Sequence, residues 1–231
     1  MARRRSLARD YLEAILIAAL FLRFANTFVL QTFYIPSGSM EDTLLIGDHL
    51  FVNRYIYGLA SSGLEQALLL ARLLRRGDVV IFCFPEDPTI DVVKRCVGLP
   101  GDVVEIEAKH LSINGLPVDD STYTRFTDPR TIPRGADAAL GHRDSFGPFQ
   151  VPADHYFCLG DNRDNSYDSR FWGGLPAQLI KGRAEVIYWS YGGETPNGDR
   201  PGWAGKLRQL GSTAAGFLTR SRWARTGHLV R

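Results

Sequence analysis

Hydrophobic positions along the chain fall into two regimes. Between Tyr11 and about Ile35 they run almost unbroken, and beyond Ile35 they shorten to strand-length runs separated by turn residues. The first stretch is wholly apolar from Ala14 to Leu22, is interrupted by Arg23, and resumes from Phe24 to Leu30 around Asn26 and Thr27. A bilayer crossing needs about 20 mostly apolar residues, and the window from Leu12 to Leu30 is near that length. A charge at mid-membrane costs about 2.5–3.5 kcal/mol, which Arg23 escapes by snorkelling if it lies near one face. The pattern therefore predicts a membrane anchor helix over residues 11–34, with an interfacial helix and a buried core helix as its rivals. No small-x-small pattern follows the apolar run, which argues against a cleaved signal peptide. Arg3, Arg4 and Arg5 precede it within a basic segment, 1–10, so the positive-inside rule puts that end in the cytoplasm and everything after Ile35 on the other side.

Past Ile35, Asp48 to Tyr55 alternates loosely. Asp78 to Phe84 and Ile90 to Val97 are β-branched runs either side of the turn-like Pro85–Thr89. Val103 to Ile106, Leu111 to Ile113, Tyr156 to Leu159 and Ala184 to Trp189 complete the set. Asn114-Gly115 is a strong hairpin turn signal. Gly63 to Arg75 is the exception and reads as a leucine-rich helix, either packed on the β domain or touching a bilayer. The expectation is a mainly β protein. Its main domain occupies 35–107 and 150–190, and the polar stretch 108–149, rich in Asp, Arg, Pro and Gly, forms an inserted lobe. A loop and a basic tail, to which no role attaches, fill 191–231.

Composition narrows the chemistry. A net charge of only +2 gives no reason to expect nucleic acid as partner. The three cysteines, Cys83, Cys96 and Cys158, lie in apolar runs without CxxC spacing, so they read as buried small hydrophobes rather than a zinc site or disulfide framework. A Cys83–Cys96 bridge is poorly supported, because a hairpin through Pro85–Ile90 sets Cys83 opposite Val92. The histidines form no HExxH or HxH pattern, which argues against a metal site. Absence of G-x-S-x-G and S-x-x-K weakens the corresponding hydrolase readings, and a Ser39–His49 triad would need forced geometry.

Three segments can carry chemistry. In Ile35–Met40, IPSGSM, Pro36 and Gly38 impose an irregular turn around Ser37 and Ser39; a serine hydroxyl needs a base to become a nucleophile. In Asp91–Asp102, DVVKRCVGLPGD, Lys94 sits among valines and a cysteine. Desolvation there favours the neutral amine, and lowering its pKa from about 10.4 to about 8 costs roughly 3 kcal/mol, so a lysine held this way is a candidate general base. In Gly160–Gly173, GDNRDNSYDSRFWG, Asp161, Arg163, Asp164, Asp168 and Arg170 crowd together with Ser166, a composition suited to bidentate Arg–carboxylate bracing. Each segment alone also reads as an ordinary turn, a strand-edge lysine or a solvated loop.

Taken together, IPSGSM…TLLIGD, RGDVVIF, VVKRCVGLPGD and GDNRDNSYDSRFWG resemble, in order and sense, the bacterial type I signal peptidases, or leader peptidases, over most of residues 11–190. The resemblance implies a signal-peptidase-like β-barrel of coiled antiparallel sheets with an N-terminal membrane helix and an appended smaller β lobe. It implies a membrane-bound serine endopeptidase that removes signal peptides from exported preproteins, with Ser39 as nucleophile and Lys94 as general base. Ser37 would serve the oxyanion hole beside the Ser39 N–H, Ser166 would hold the lysine amine, and Asp161, Arg163, Asp168 and Arg170 would brace the site. Ile35, Met40, Leu44, Val92 and Val93 would wall shallow pockets for small residues before the cut. No metal or cofactor is implied; the partners are signal peptides and the lipid bilayer, at the bacterial cytoplasmic membrane, single-pass, with the catalytic domain on the outer side. Alternatives are a Ser/Lys peptidase specialised for pilin or conjugation precursors, and an inactive peptide-binding paralogue. Two features depart from the family pattern: Asp42 stands where proline is usual, and Gly63–Arg75 replaces a variable segment.

Overall fold

The computed structural model of the chain describes residues 7–24, 30–54, 57, 72–136, 140–192 and 216–231. Among these, two antiparallel sheets carry the fold. The large sheet contains β1 (Leu30–Tyr34), β2 (Asp48–Asn53), β3 (Val79–Cys83), β4 (Asp91–Gly98), β9 (His155–Leu159), β10 (Leu175–Pro176), β11 (Ile180–Ser190) and β12 (His228–Leu229). Its order is β1-β2-β11-β3-β4-β9-β10, with β12 pairing onto β11. The small sheet contains β5 (Val103–Glu107), β6 (His110–Ile113), β7 (Leu116–Pro117) and β8 (Phe146–Gln150), in the order β7-β6-β5-β8. The long strand β11 bends across the middle at two register shifts against β2 and one against β3, as bulges do in strongly twisted sheets.

The strand runs anticipated from β-branched density form as expected, to within a few residues at their ends. Asn114 and Gly115 take positive φ, 54° and 76°, in the turn that sets Ile113 opposite Leu116. That is the backbone a two-residue hairpin demands and the reason the pair signals it. The lobe's sheet begins earlier than residue 108, because β5 pairs with β6 and β8 rather than with the large sheet.

The N-terminal expectation needs correction. The helix, α1, spans Leu7–Phe24, and Leu30–Tyr34, the end of the expected 11–34 anchor, is strand β1, in register with β2 from Leu30↔Asn53 to Tyr34↔His49. Thr32, Phe33 and Tyr34 are β-branched or aromatic residues that suit a pleated surface, and the segment gains a full ladder of partners on β2. With Arg9, Asp10, Glu13 and Arg23 in its 18 residues, α1 is not long and apolar enough to cross a membrane, nor is any other described helix. Tyr11, Leu12, Ile15, Leu16, Ile17 and Leu20 are all exposed on it. Of the expected helix 63–75, residues 63–71 lie outside the described residues, and 72–75 are not helical.

Alternation along the strands sorts the core into three clusters. Leu50, Val52, Val79, Ile81, Val93, Ala184 and Ile187 gather under β2, β3, β4 and β11. Val80, Phe82 and Cys96, on the opposite face of β3 and β4, cluster with Cys158 of β9 and Leu175 of β10. Val97, Val104, Ile106, Leu111, Val151, Phe157 and Leu159 weld the small sheet to β4 and β9. All three thiols are free. Cys83 opposes Asp91, one residue from the expected Val92, and is only half-buried, whereas buried Cys96 lies opposite buried Cys158. At the weld, fully buried Phe157 contacts the rings of Phe146 and Phe149 at 5.3 and 5.5 Å. Phe157→Ala should cost about 3–5 kcal/mol, read as a lower midpoint in chemical denaturation with an unchanged slope.

Candidate active site

The turn carrying Ser39 follows β1 and leads into β2. Pro36 and Gly38 deny it a regular ladder, so its backbone groups close on one another: Glu41 N donates to Gly38 O at 3.2 Å and Leu44 N to Met40 O at 2.7 Å. Ile35, Met40 and Leu44, all buried, drop from the turn into the first core cluster and hold it down. From across the sheet, Asn162 donates its backbone N–H to Ser39 O at 3.1 Å and its amide to Gly38 O at 3.3 Å. The serine's backbone is thus held on both sides.

Lys94 lies in the middle of β4, opposite Val80, on the face it shares with Val92 and Cys96. It is 3% exposed. Its Nζ donates to Ser39 Oγ at 2.6 Å, across 55 residues of sequence. Burial dominates the electrostatics and pulls the amine from 10.5 down to about 8; the Asp168 carboxylate draws it back up and the Arg170 guanidinium pushes it down again. The register Arg95↔Leu159 brings Gly160, the residue after β9, alongside Lys94. A Cβ on Gly160 would collide with Ser166 and with the Ser39 carbonyl, so glycine makes the close approach of these three segments feasible.

Buried ion pairs surround the dyad. Arg95 grips Asp161 bidentately, Nε–Oδ1 at 2.8 Å and Nη2–Oδ2 at 2.7 Å, with both side chains 1% exposed. Arg95 also donates to Gly77 O at 2.7 Å and to Thr43 Oγ1 at 3.2 Å, and lies 4.1 Å from the Tyr123 ring centroid. Thr43 Oγ1 in turn donates to Asp161 Oδ2 at 2.6 Å, tying the serine turn to the same pair. Asp168 caps the short helix α2 (Ser169–Trp172), is gripped by Arg170 through two 2.8 Å bonds, and accepts from Gly160 N at 3.0 Å. Burial alone would raise the Asp168 pKa, but the Arg170 charge and these bonds hold it below the usual carboxylate value. Arg163, also buried, donates to Gly160 O at 3.2 Å and pairs with Asp120 at 2.7 Å.

Of the residues singled out in the sequence, Ser39 and Lys94 meet, and Asp161, Arg163, Asp168 and Arg170 encircle them as ion pairs. Ser37 is exposed, two residues before the nucleophile candidate. Ser166 packs against Gly160, but its Oγ is buried without a hydrogen-bond partner and does not bond the lysine amine. Ile35, Met40, Leu44 and Val93 share one core cluster, whereas Val92 faces the opposite one. Asp42 takes φ 73° and pairs with Arg125 at 2.8 Å; a proline, locked near −65°, cannot adopt that backbone. Sequence reasoning missed Arg95, Thr43, Asn162 and Gly160. Arg95 stood next to Lys94, but its partner Asp161 lies 66 residues away and nothing local announces the pairing. Among the described residues no group of three or more His, Cys, Asp or Glu side chains could hold a metal ion.

A serine hydroxyl held against a desolvated amine is an arrangement that suits the class of serine hydrolases, whose nucleophile needs a neighbouring base. Comparison with known proteins carries this further. The family model described as signal peptidase, peptidase S26, matches residues 8–189. Signal peptidase I of Pseudomonas fluorescens is 36% identical over 203 residues, covering 77% of this chain and 70% of its own. Signal peptidase I of Aquifex aeolicus is 31% identical over 229 residues, 79% of this chain and 83% of its own. Signal peptidase I P of Bacillus subtilis subsp. natto is 34% identical over 187 residues, 80% and 91%. The chain belongs to the signal peptidase family, peptidase S26.

The depressed Lys94 pKa has a stability consequence. Between about 8 and 10.5 the unfolded chain binds a proton that the folded chain has released, so stability rises with pH across that window. Below it, the buried ammonium costs on the order of 3 kcal/mol. Lys94→Met should therefore be more stable than the parent at pH 7, and the difference should vanish above about 10.5. Denaturation curves at pH 7, 9 and 11 measure it.

Proposed function

We propose that this peptidase removes N-terminal signal peptides from preproteins, with Ser39 as nucleophile and Lys94 as general base. The observation that carries the reading is the 2.6 Å contact between Lys94 Nζ and Ser39 Oγ, formed where burial has brought the amine to about 8. At that value roughly a tenth of the molecules hold a neutral amine at pH 7 and half at pH 8. The neutral amine takes the Ser39 proton, Oγ attacks the carbonyl carbon at the cleavage point, and a covalent acyl-enzyme forms as the new N-terminus leaves with the proton that Lys94 returns. Water, deprotonated by the same amine, then releases the signal peptide. The Ser39 N–H and the Ser37 hydroxyl are the donors assigned to the developing oxyanion. The hydroxyl of Ser166, buried and unpartnered beside the site, is assigned the task of orienting the amine once its proton has gone.

The substrate is read as an extended segment laid along a strand edge. Ile35, Met40, Leu44 and Val93 lie in one buried cluster around the serine turn, and this apolar surround supports small residues before the cut. The bilayer is the second partner proposed. Tyr11, Leu12, Ile15, Leu16, Ile17 and Leu20 of α1 are exposed, and a family that acts on signal sequences works where these leave the membrane. Arg3, Arg4 and Arg5 support a cytoplasmic N-terminus and a catalytic domain on the outer face of the bacterial cytoplasmic membrane. No observation favours pilin or conjugation precursors as special substrates, and the intact buried dyad argues against an inactive peptide-binding paralogue.

Ser39→Ala and Lys94→Ala should each abolish cleavage of a model preprotein by the full chain while leaving its circular dichroism intact; cleavage retained by either would refute the dyad. The rate should climb along an alkaline limb with its midpoint near 8 as Lys94 loses its proton. A profile flat from pH 6.5 to 9.5 would count against Lys94 as the titrating group.

A further inference from the structure

The serine turn touches one more buried charge. Asp48, the first residue of β2, is fully buried. Its carboxylate accepts from Leu45 N at 2.8 Å and from Ser190 Oγ at 2.6 Å. It is paired by Arg225, Nη2 to Oδ2 at 2.6 Å and Nε to Oδ1 at 3.2 Å. The same Nη2 donates to Thr43 O at 2.9 Å. Arg222, three residues earlier, donates to Ile46 O and, at 3.1 Å, to Tyr191 O. Two arginines from the segment expected to be a tail without a role thus bind the arm of the turn that follows Ser39, at Thr43 and Ile46.

The segment is firmly placed to do this. Arg222 N donates to Ser190 O, Gly227 N to Ile187 O and Val230 N to Glu185 O, at 2.8, 2.8 and 2.9 Å, and β12 pairs with β11. Arg225 therefore projects from a strap fixed to the central strand, and its planar fork spans a carboxylate and a carbonyl that a single point charge cannot hold in the same geometry. Thr43 lies four residues after Ser39, and its hydroxyl is held from the other side by Asp161 and Arg95. The turn is gripped at Thr43 from two directions, and one of the grips is Arg225.

We propose that Arg225, acting through Asp48 and the Thr43 carbonyl, is a positioning residue that keeps Ser39 Oγ within reach of Lys94. The proposal rests on the assignment of those two residues as nucleophile and base. Arg225 itself touches neither reacting atom, so its loss acts on geometry alone. A displacement of about 1 Å in a reacting group costs up to a hundredfold in rate.

The test measures kcat and KM for a preprotein with the full-length parent, Arg225→Gln and Arg225→Lys, each well below its own melting temperature. Arg225→Gln should lower kcat about tenfold to a hundredfold with KM little changed, and the alkaline limb should stay near 8, because Arg225 is not among the groups that act on the amine. Arg225→Lys, which pairs Asp48 without the fork, should recover part of the loss. Should Arg225→Gln fail to fold because Asp48 is left buried and unpaired, Asp48→Asn/Arg225→Gln removes both charges and carries the same comparison. Parent-like kcat in a folded variant, or a loss matched by the fraction unfolded, overturns the proposal. Parallel Ser39→Ala and Lys94→Ala samples keep the two claims apart: if they remain active, the dyad fails, and if they are dead while Arg225→Gln is fully active, only the positioning role does.

Discussion

The arrangement depends on keeping an amine out of water beside a hydroxyl. A lysine buried to 3% exposure disfavours its own charge, and the site works only if no neighbouring carboxylate restores that charge. Asp161 and Asp168 are both close enough to raise the Lys94 pKa. Each is occupied: Arg95 holds Asp161 and Arg170 holds Asp168, both bidentately. The carboxylates are neutralised in pairs that exclude the lysine, so burial rather than ion pairing sets its protonation. A lysine free to pair with either aspartate would stay charged and could not act as a base near neutral pH.

This explains why so many charges are buried in a protein with a net charge of only +2. The pairs are self-cancelling and double as struts. Arg95 reaches from β4 to the serine turn and Asp161, while Arg170 donates to the carbonyls of Arg143 and Arg163, at 2.5 and 2.7 Å. Lys109 in the lobe pairs with Asp164 at 2.9 Å and donates to Asp128 O at 2.6 Å. The lobe thus helps to support the loop 160–173 through Lys109 and Asp164. Buried pairs of this kind add little net stability over apolar packing, but breaking one member is costly, so they restrain the geometry strongly.

Much of this was legible in the sequence, for identifiable reasons. Strand positions follow from β-branched runs and their turns, which are local properties, and the Asn114-Gly115 hairpin follows from the backbone only such a pair adopts easily. Lys94 stood out because a long cationic side chain among valines is costly wherever the strand is buried. The N-terminal segment misled because helix and strand share apolar composition: only the ladder between β1 and β2 decided that residues 30–34 leave the helical pattern. Asp42 looked like a departure of uncertain effect, and its φ of 73° shows a turn built for a residue other than proline.

By itself, then, the order of residues determined a mainly β protein with a turn-borne serine, a desolvated lysine and a charged loop, because hydrophobic alternation and local backbone preference act over a few residues at a time. Only the tertiary structure decided which charge meets which. Arg95 and Asp161, Lys94 and Ser39, and Arg225 and Asp48 are separated by 66, 55 and 177 positions. Their meeting depends on strand order and register, which no local pattern encodes. It is these long-range contacts that convert a common set of polar residues into a buried amine whose hydrogen-bond partner is a serine hydroxyl.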